Sequence, residues 1–137
     1  MKNKMKIVIP SIIIIIQIIA IIIIMTQLNT AEKHVYEIAF ENLNKFKDPS
    51  SVKVIEATTY GDNYAIVKLG GTNSFGGFVS DTYYIENNDL YTYKENTQKA
   101  KEISENCFNY EKSNMNKVKK MDEKSLKKIN KKIKARY

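Results

Sequence analysis

The chain has 137 residues, about one domain in length, and carries a formal net charge of +7. One Cys and one His exclude an intramolecular disulfide scaffold, a Cys-rich zinc site and a His-rich metal site. The charge is uneven, because residues 7–111 hold 8 Lys and 13 acids, whereas residues 112–137 hold 10 Lys, one Arg and two acids. A uniformly basic domain is therefore excluded, and the apolar fraction of 43% excludes a largely disordered chain.

Residues 7–25 form a run of 19 uncharged residues, 13 of them Ile, without a polar face at helical spacing. As a helix this run is roughly 28 Å long, close to the ~30 Å hydrocarbon thickness of a bilayer. It exceeds the apolar stretch of a cleaved signal, so we predict a transmembrane anchor over residues 7–28. Lys2, Lys4 and Lys6 precede it and predict a single-pass protein of the cell membrane, with residues 1–6 cytoplasmic and the C-terminal domain extracytoplasmic. Cleavage of the segment would instead give a secreted protein.

Residues 29–111 have the pattern of an extracytoplasmic α+β domain. An amphipathic helix is predicted over Ala31–Lys47, with Thr30 as its cap and Asp48-Pro49 as its end. Short β-forming segments between turn residues then predict a three- to four-stranded antiparallel meander packed on this helix. The predicted strands are Val52–Thr59, Tyr64–Leu69, Phe78–Ile85 and Leu90–Tyr93, and a further helix is predicted over Thr97–Tyr110.

Residues 112–137 are strongly basic, and from Met115 onward they separate by helical angle into an apolar and a basic face. The apolar face contains Met115, Val118, Leu126, Ile129 and Ile133. The basic face contains Lys117, Lys120, Lys124, Lys127, Lys128, Lys131 and Lys134. Either this helix packs its apolar stripe on the domain or on another chain, or it adheres to an anionic surface, namely lipid headgroups or cell-wall polymer. The outside location argues against nucleic acid as a partner.

Residues 70–77 form the most conspicuous local feature, a loop with two glycine pairs. A phosphate-binding loop leads from a strand into a helix and often supplies a Lys, whereas this loop leads into another predicted strand. We therefore expect a conformational role, in which Asn73, Phe75, Gly76 and Gly77 form the turn and glycine supplies a positive φ.

Three short motifs resemble a family of small exported, membrane-anchored bacterial domains of unknown function. They are the helix end in residues 43–52, with its Lys-Asp-Pro-Ser-Ser stretch, the Asn-Ser-Phe-Gly turn at residues 73–76, and the pair Tyr83-Tyr84. In that family a helix ends in a Lys-x-Pro-Ser-Ser stretch and an Asn-x-Phe-Gly turn joins two strands. The resemblance covers approximately residues 35–93 and implies a fold and a location, but no activity. Gly70-Gly71 and the basic tail depart from it.

No set of catalytic residues can be selected by spacing. His34 is interpreted as a surface residue at a helix start, and Cys107 as a small buried hydrophobe, with a link between two copies as the alternative. Six of the nine Tyr lie in the strand region, where packing is expected and glycan recognition is the alternative.

The sequence thus predicts no enzyme, no cofactor and no metal site. It favours a non-enzymatic, envelope-anchored binding or interaction module of unknown partner. The alternative is a structural subunit, because an apolar helix, an amphipathic helix and an antiparallel sheet also follow one another in pilin-like proteins.

Overall fold

The computed structural model describes residues 12–19 and 28–136. Residues 12–19 are helical (α1). Among the described residues, no helix combines the length and the apolar character needed to cross a membrane. Most of the predicted anchor, namely residues 7–11 and 20–27, lies outside the described residues, so the span stays a prediction.

The second helix, α2 (Thr30–Glu41), begins one residue before the predicted start because Asn29, not Thr30, caps it. The Asn29 side chain accepts from the Glu32 N–H at 2.8 Å, and the Glu32 carboxylate accepts from the Asn29 N–H at 3.0 Å. This reciprocal pair is a capping box. The helix ends at Glu41 and is followed by a 3-10 turn over Leu43–Lys45, so the predicted helix up to Lys47 was a few residues too long.

The predicted α+β class is confirmed, and within the described residues the sheet has five strands. They are β1 (Asp48–Tyr60), β2 (Tyr64–Thr72), β3 (Phe78–Glu86), β4 (Asp89–Tyr91) and β5 (Val118–Lys120). Their order is β4-β3-β2-β1-β5, and every neighbouring pair is antiparallel. The first four strands follow the predicted meander, whereas β5 was not predicted.

Helices cover both faces of this sheet. Ala65, Val67 and Leu69 of β2 face the main core, which α2 and the last helix, α4 (Glu123–Lys134), close. The remaining helix, α3 (Thr97–Asn114), buries residues that do not belong to that core, because it packs on the opposite face. Lys99 of α3 pairs with Glu86 of β3 at 2.7 Å, and Glu86 lies opposite Tyr64 of β2 in the sheet. Along β3 the residues Phe78–Ser80 are exposed, and burial begins at Asp81.

The basic segment is an integral part of the domain, which corrects the predicted boundary at residue 112 and the continuous helix from Met115. The boundary falls inside α3, and a 3-10 turn over Met115–Lys117 and the strand β5 precede α4. β5 pairs with Thr58–Tyr60 at the edge of β1, and Asp122 caps α4 by accepting from the Ser125 N–H at 2.7 Å. Pairing with a distant strand overrides the helical periodicity of these residues, as tertiary contacts commonly override local preference.

The two helices on the core face run in parallel. Ser125 and Lys128 of α4 contact Glu32 in the first turn of α2. One turn further on, the Lys132 ammonium lies 5.5 Å from the centre of the Tyr36 ring, and the Arg136 guanidinium lies 4.8 Å from that of Phe40. Ile129 and Ile133 are fully buried between α4 and the core. The α4 part of the apolar stripe, Leu126, Ile129 and Ile133, thus packs on its own domain, whereas Met115 is 74% exposed.

Candidate functional site

The turn between β2 and β3 is held in one conformation by the Asn73 side chain. Its Oδ1 accepts from the N–H groups of Phe75 and Gly77, both at 3.0 Å. The Asn73 N–H donates to the Gly77 carbonyl at 2.9 Å, and the Gly76 N–H donates to the Asn73 carbonyl at 3.1 Å. Gly76 has φ +81°, in the left-handed region that glycine adopts without strain. Four hydrogen bonds therefore preorganise this short turn.

The turn presents an apolar surface to solvent. The Phe75 side chain is 96% exposed, and the neighbouring Phe78 and Val79 are 55% and 41% exposed. The ammonium group of Lys53 lies 4.9 Å from the centre of the Phe78 ring, and that of Lys47 donates to the Ser74 carbonyl at 3.1 Å. Residues 73–79, the distal tip, thus combine exposed apolar side chains with flanking positive charge.

The glycine pair before the turn has a packing reason that the sequence did not reveal. A Cβ on Gly70 would collide with the Phe78 ring and lie 2.8 Å from Ile55 Cδ1, while a Cβ on Gly71 would lie 2.6 Å from the Phe46 ring. Gly70 and Gly71 therefore let one aromatic ring approach each face of β2. The missing side chain at Gly70 therefore makes room for the Phe78 ring within the distal tip.

A surface cleft of about 950 Å³ lies at the other end of the sheet, beside the turn at Gly61. The helix start at Asn29 lines it, together with four cations, Lys33, Lys117, Lys119 and Lys120. Within the described residues, none of the three lysines around β5 has a carboxylate within 4.0 Å, whereas Lys33 pairs loosely with Glu37 at 3.8 Å. These positive charges are thus available to an anion.

Three carboxylates, Glu37, Asp62 and Asp122, line the cleft as well and offset part of the lysine charge, and aromatic and polar groups form the rest of its wall. Burial raises the pKa of Tyr60, and burial together with nearby Glu86 raises that of Tyr64, so both phenols stay neutral donors at physiological pH. His34 also lines the cleft, and its Nε2 is buried without a hydrogen-bond partner among the described residues. His34 was predicted to be a surface residue; its side chain does line the cleft, but its Nε2 atom is buried.

The predicted basic face does not form one continuous surface. Lys117 and Lys120 line the cleft, while Lys124, Lys127, Lys131 and Lys134 lie on the exposed side of α4. Lys127 pairs with Glu123 at 2.9 Å, and Lys128 binds the buried carboxylate of Glu32 at 3.3 Å. Because Ile129 and Ile133 are buried in the core, the apolar stripe is not free to enter a lipid surface.

The sequence interpretation missed several basic side chains that have identifiable contacts. Lys119 and Lys33 belong to the cleft, and Arg136 stacks on Phe40. Helical angles in the tail do not report any of these contacts, because Lys33 lies on another helix and Lys119 lies on a strand. Only the proximity of β5 to the start of α2 brings the cleft lysines together.

Two other candidates have structural explanations in the described part of the chain. Cys107 is 1% exposed, and burial raises its thiol pKa to about 12, so the group behaves as a neutral core side chain. The Tyr side chains do not form a single exposed platform, since Tyr83 is buried and Tyr84 packs edge-on against Tyr93 at a centroid distance of 5.0 Å. No group of three His, Cys, Asp or Glu in the described ranges is arranged to hold a metal ion.

No protein-family model, curated protein or solved structure matches this chain. The resemblance to exported bacterial domains therefore stays a prediction from short motifs, and the site geometry carries the functional argument.

Proposed function

We propose that this protein is a non-enzymatic interaction module anchored at the outer face of the cell membrane, with its partner-binding surface at the distal tip. The observation that carries the proposal is the 96% exposure of Phe75 on a turn held by four hydrogen bonds. A large apolar side chain on a preorganised turn loses little conformational entropy on binding and gains from removal of water. Aromatic residues, Phe among them, are enriched in protein interfaces relative to the rest of the surface.

The proposed membrane anchor is supported by the surface of α1. Its isoleucine side chains between Ile12 and Ile19 are 49–59% exposed. Such a surface is unfavourable in water and favourable in the hydrocarbon core of a bilayer. The predicted span ends at residue 28, and Asn29 caps α2 directly after it. In this proposal the cleft, which Asn29 lines, faces the membrane.

The distal tip then faces away from the membrane. β2 has 9 residues and runs from the cleft end to the tip, which corresponds to roughly 30 Å of extended chain. The cleft lysines, close to the anchor, suit the anionic headgroups of a lipid surface, where each contributes about 1 kcal/mol. Anionic wall polymer offers the same charge. The two ends of the sheet thus have separate tasks, orientation at the membrane and recognition of a partner.

Photo-crosslinking in whole cells tests this function. A benzophenone analogue of phenylalanine replaces Phe75 in one strain and Phe108 in another, because Phe108 is also 58% exposed but lies on α3. We expect a discrete crosslinked protein from position 75 that is absent from position 108. Protease added to spheroplasts should digest the domain.

Identical products at both positions, or no product at position 75, would overturn the distal tip as the binding surface. Protection of the domain from external protease would overturn the outside location. A product at position 75 that consists of two copies of this chain would instead favour the structural subunit.

A further inference from the structure

The hydrogen-bonding directions of β3 follow from the two ends of its ladder with β2. At one end the Asn73 N–H donates to the Gly77 carbonyl, and at the other the Asn87 N–H donates to the Asn63 carbonyl. Antiparallel partners alternate between bonded and non-bonded pairs. The odd-numbered residues of β3 therefore bond to β2. The N–H and C=O groups of the even-numbered residues point away from β2, toward the opposite edge.

That opposite edge is only partly covered. β4 pairs with β3 over Tyr84–Glu86 and no further. The Thr82 N–H donates to the Asp81 carboxylate at 2.9 Å, which occupies one more outward group. In the described part of the chain no group bonds to the outward N–H and C=O of Phe78 and Ser80. Two successive outward positions are thus open beside the distal tip.

The other edge of the sheet shows how this chain covers a strand. β5 pairs with the end of β1, and the Met121 N–H donates to the Ala57 carbonyl at 2.9 Å. Beyond the bulge at Ile55, the Asn130 amide accepts from the Val54 N–H at 2.7 Å and donates to its carbonyl at 2.9 Å. Folded proteins generally cover or charge their strand edges in such ways. The edge of β3 at Phe78 and Ser80, unlike the edge of β1, has no such cover among the described residues.

Lysines outnumber acids around the open edge, where Asp81 pairs with one lysine and Glu95 lies near the Tyr83 ring. Lys45 lies 5.1 Å from the centre of the Tyr83 ring, and Lys53 lies over Phe78 on the other face. Lys47 contacts the turn at Ser74, and Lys94 pairs with Asp81 at 3.0 Å. Lysines of this arrangement repel a second copy of the same edge. They attract a strand that carries carboxylates.

We infer that the outer edge of β3 at Phe78 and Ser80 binds an extended segment of a protein partner in which apolar and acidic residues alternate. The segment adds a strand to the sheet through main-chain hydrogen bonds. Successive side chains of a strand point to opposite faces of a sheet, so its apolar side chains contact Phe78 on one face. Its carboxylates lie on the other face, where they meet Lys45 and Lys94. This inference rests on the proposed function, since it assigns the chemistry of the partner to the distal tip.

Backbone amide spectra of the full-length chain in neutral detergent micelles test the inference. The probe is the acetylated and amidated hexapeptide of alternating Glu and Val, and the matched peptide has Lys in place of Glu. We expect saturable shifts at the Phe78 and Ser80 amides, slower hydrogen exchange there, and no saturable response to the Lys peptide. Absence of saturable shifts with the Glu peptide would overturn the inference.

A pair of substitutions at one position separates backbone from side-chain recognition. Ser80→Pro removes the outward N–H, whereas Ser80→Ala keeps it. We expect Ser80→Pro to bind the Glu peptide roughly two- to tenfold more weakly, since the net loss of one hydrogen bond corresponds to this range. Ser80→Ala should bind like the wild type. Equal binding by both variants would overturn strand addition.

Two further measurements keep the outcome interpretable. If Ser80→Pro does not fold, Lys45→Glu with Lys94→Glu replaces it, and unchanged affinity of that variant for the Glu peptide would overturn the inference. A specific crosslink at position 75 together with no peptide binding would refute this inference and leave the proposed function intact. If no specific crosslink forms at position 75, the proposed function itself is refuted.

Discussion

Glu32 offers a sharp test of how α4 is held on the domain. Its side chain is 2% exposed, although it sits in the first turn of a helix near the surface. One carboxylate oxygen accepts from the Asn29 N–H at 3.0 Å, and the other accepts from the Ser125 hydroxyl at 2.7 Å and lies 3.3 Å from the Lys128 ammonium. The same carboxylate therefore caps α2 and binds α4.

The expected magnitude follows from these contacts. A hydrogen bond from a hydroxyl to a charged carboxylate contributes about 1.5–3 kcal/mol, and an N-terminal cap about 1 kcal/mol. The pair with Lys128 adds little more, because the Lys128 side chain is 33% exposed and stays hydrated. We expect Glu32→Ala to cost about 3 kcal/mol of unfolding free energy, a large share of the roughly 5–15 kcal/mol typical of a domain.

The pH dependence identifies the charge as the cause. Burial alone would raise the Glu32 pKa, but the bonds from Ser125, Asn29 and Lys128 outweigh it and hold the pKa below its ordinary value of 4.5. A carboxyl group with a lowered folded-state pKa stabilises the protein above its unfolded pKa and loses that contribution as the pH falls through the folded value. The stability difference between wild type and Glu32→Gln should thus be constant near neutrality and shrink below pH 4.5.

Thermal melts of the full-length chain in neutral detergent, followed by circular dichroism, measure this effect. Glu32→Ala should lower Tm by roughly 10–20 °C. Glu32→Gln should lower it by less, because the Gln carbonyl oxygen can still accept from the Asn29 N–H while its NH2 donates to the Ser125 hydroxyl. Glu37→Gln is the control on the same helix, since its pair with Lys33 is exposed and should contribute less than about 0.5 kcal/mol. Equal Tm for wild type and Glu32→Ala, or a Glu32→Gln difference that does not shrink in acid, would refute the reasoning.

Gly76→Val should lower the free energy of unfolding by about 1–3 kcal/mol in urea melts, because the backbone at Gly76 has φ +81°. No atom lies within 4 Å of the Cβ position there, so a steric clash does not contribute. Gly76→Asn should lower the free energy of unfolding less, because Asn tolerates a positive φ. Equal losses in these two variants would contradict the conformational explanation. In nanodiscs with anionic lipid, a headgroup spin label should broaden the β5 amide signals. The double variant Lys119→Glu with Lys120→Glu should reduce that broadening, and so should added salt. The control double variant on α3, Lys101→Glu with Lys112→Glu, should leave it unchanged. Equal broadening in the two double variants would argue against a cationic cleft at the membrane.

Local signals carried most of the sheet prediction. The turns at Gly61 and at Asn87-Asn88 have positive φ values of 63°, 51° and 74°, and the sequence marks both with residues that tolerate them. Alternation of side chains then predicts strands on either side of each turn. The strand β5 escaped prediction because its three residues fit a helical pattern equally well. Its pairing partner, Thr58–Tyr60, lies far away in the chain.

The interaction surfaces divide in the same way. The exposed turn at residues 73–77 was recognisable from Asn73 and the glycines, because an Asx turn and a left-handed residue depend on local backbone geometry. The open edge of β3 was not recognisable, since it depends on how far β4 extends and on which side each N–H points. The cleft also required the fold, because Lys33 and Lys119 come from separate elements.

The sequence by itself determined that the α4 part of the tail, Glu123–Lys134, has one apolar and one basic face, because residue spacing sets side-chain angles on any helix. It did not determine what covers the apolar face, since a lipid surface and a protein core both remove Ile129 and Ile133 from water. In the tertiary structure the protein core covers Ile129 and Ile133, and α4 is held there because Asn130 bonds to β1 and Lys128 contacts the carboxylate of Glu32. These partners lie 76 and 96 residues away in the chain, a separation across which local periodicity carries no information.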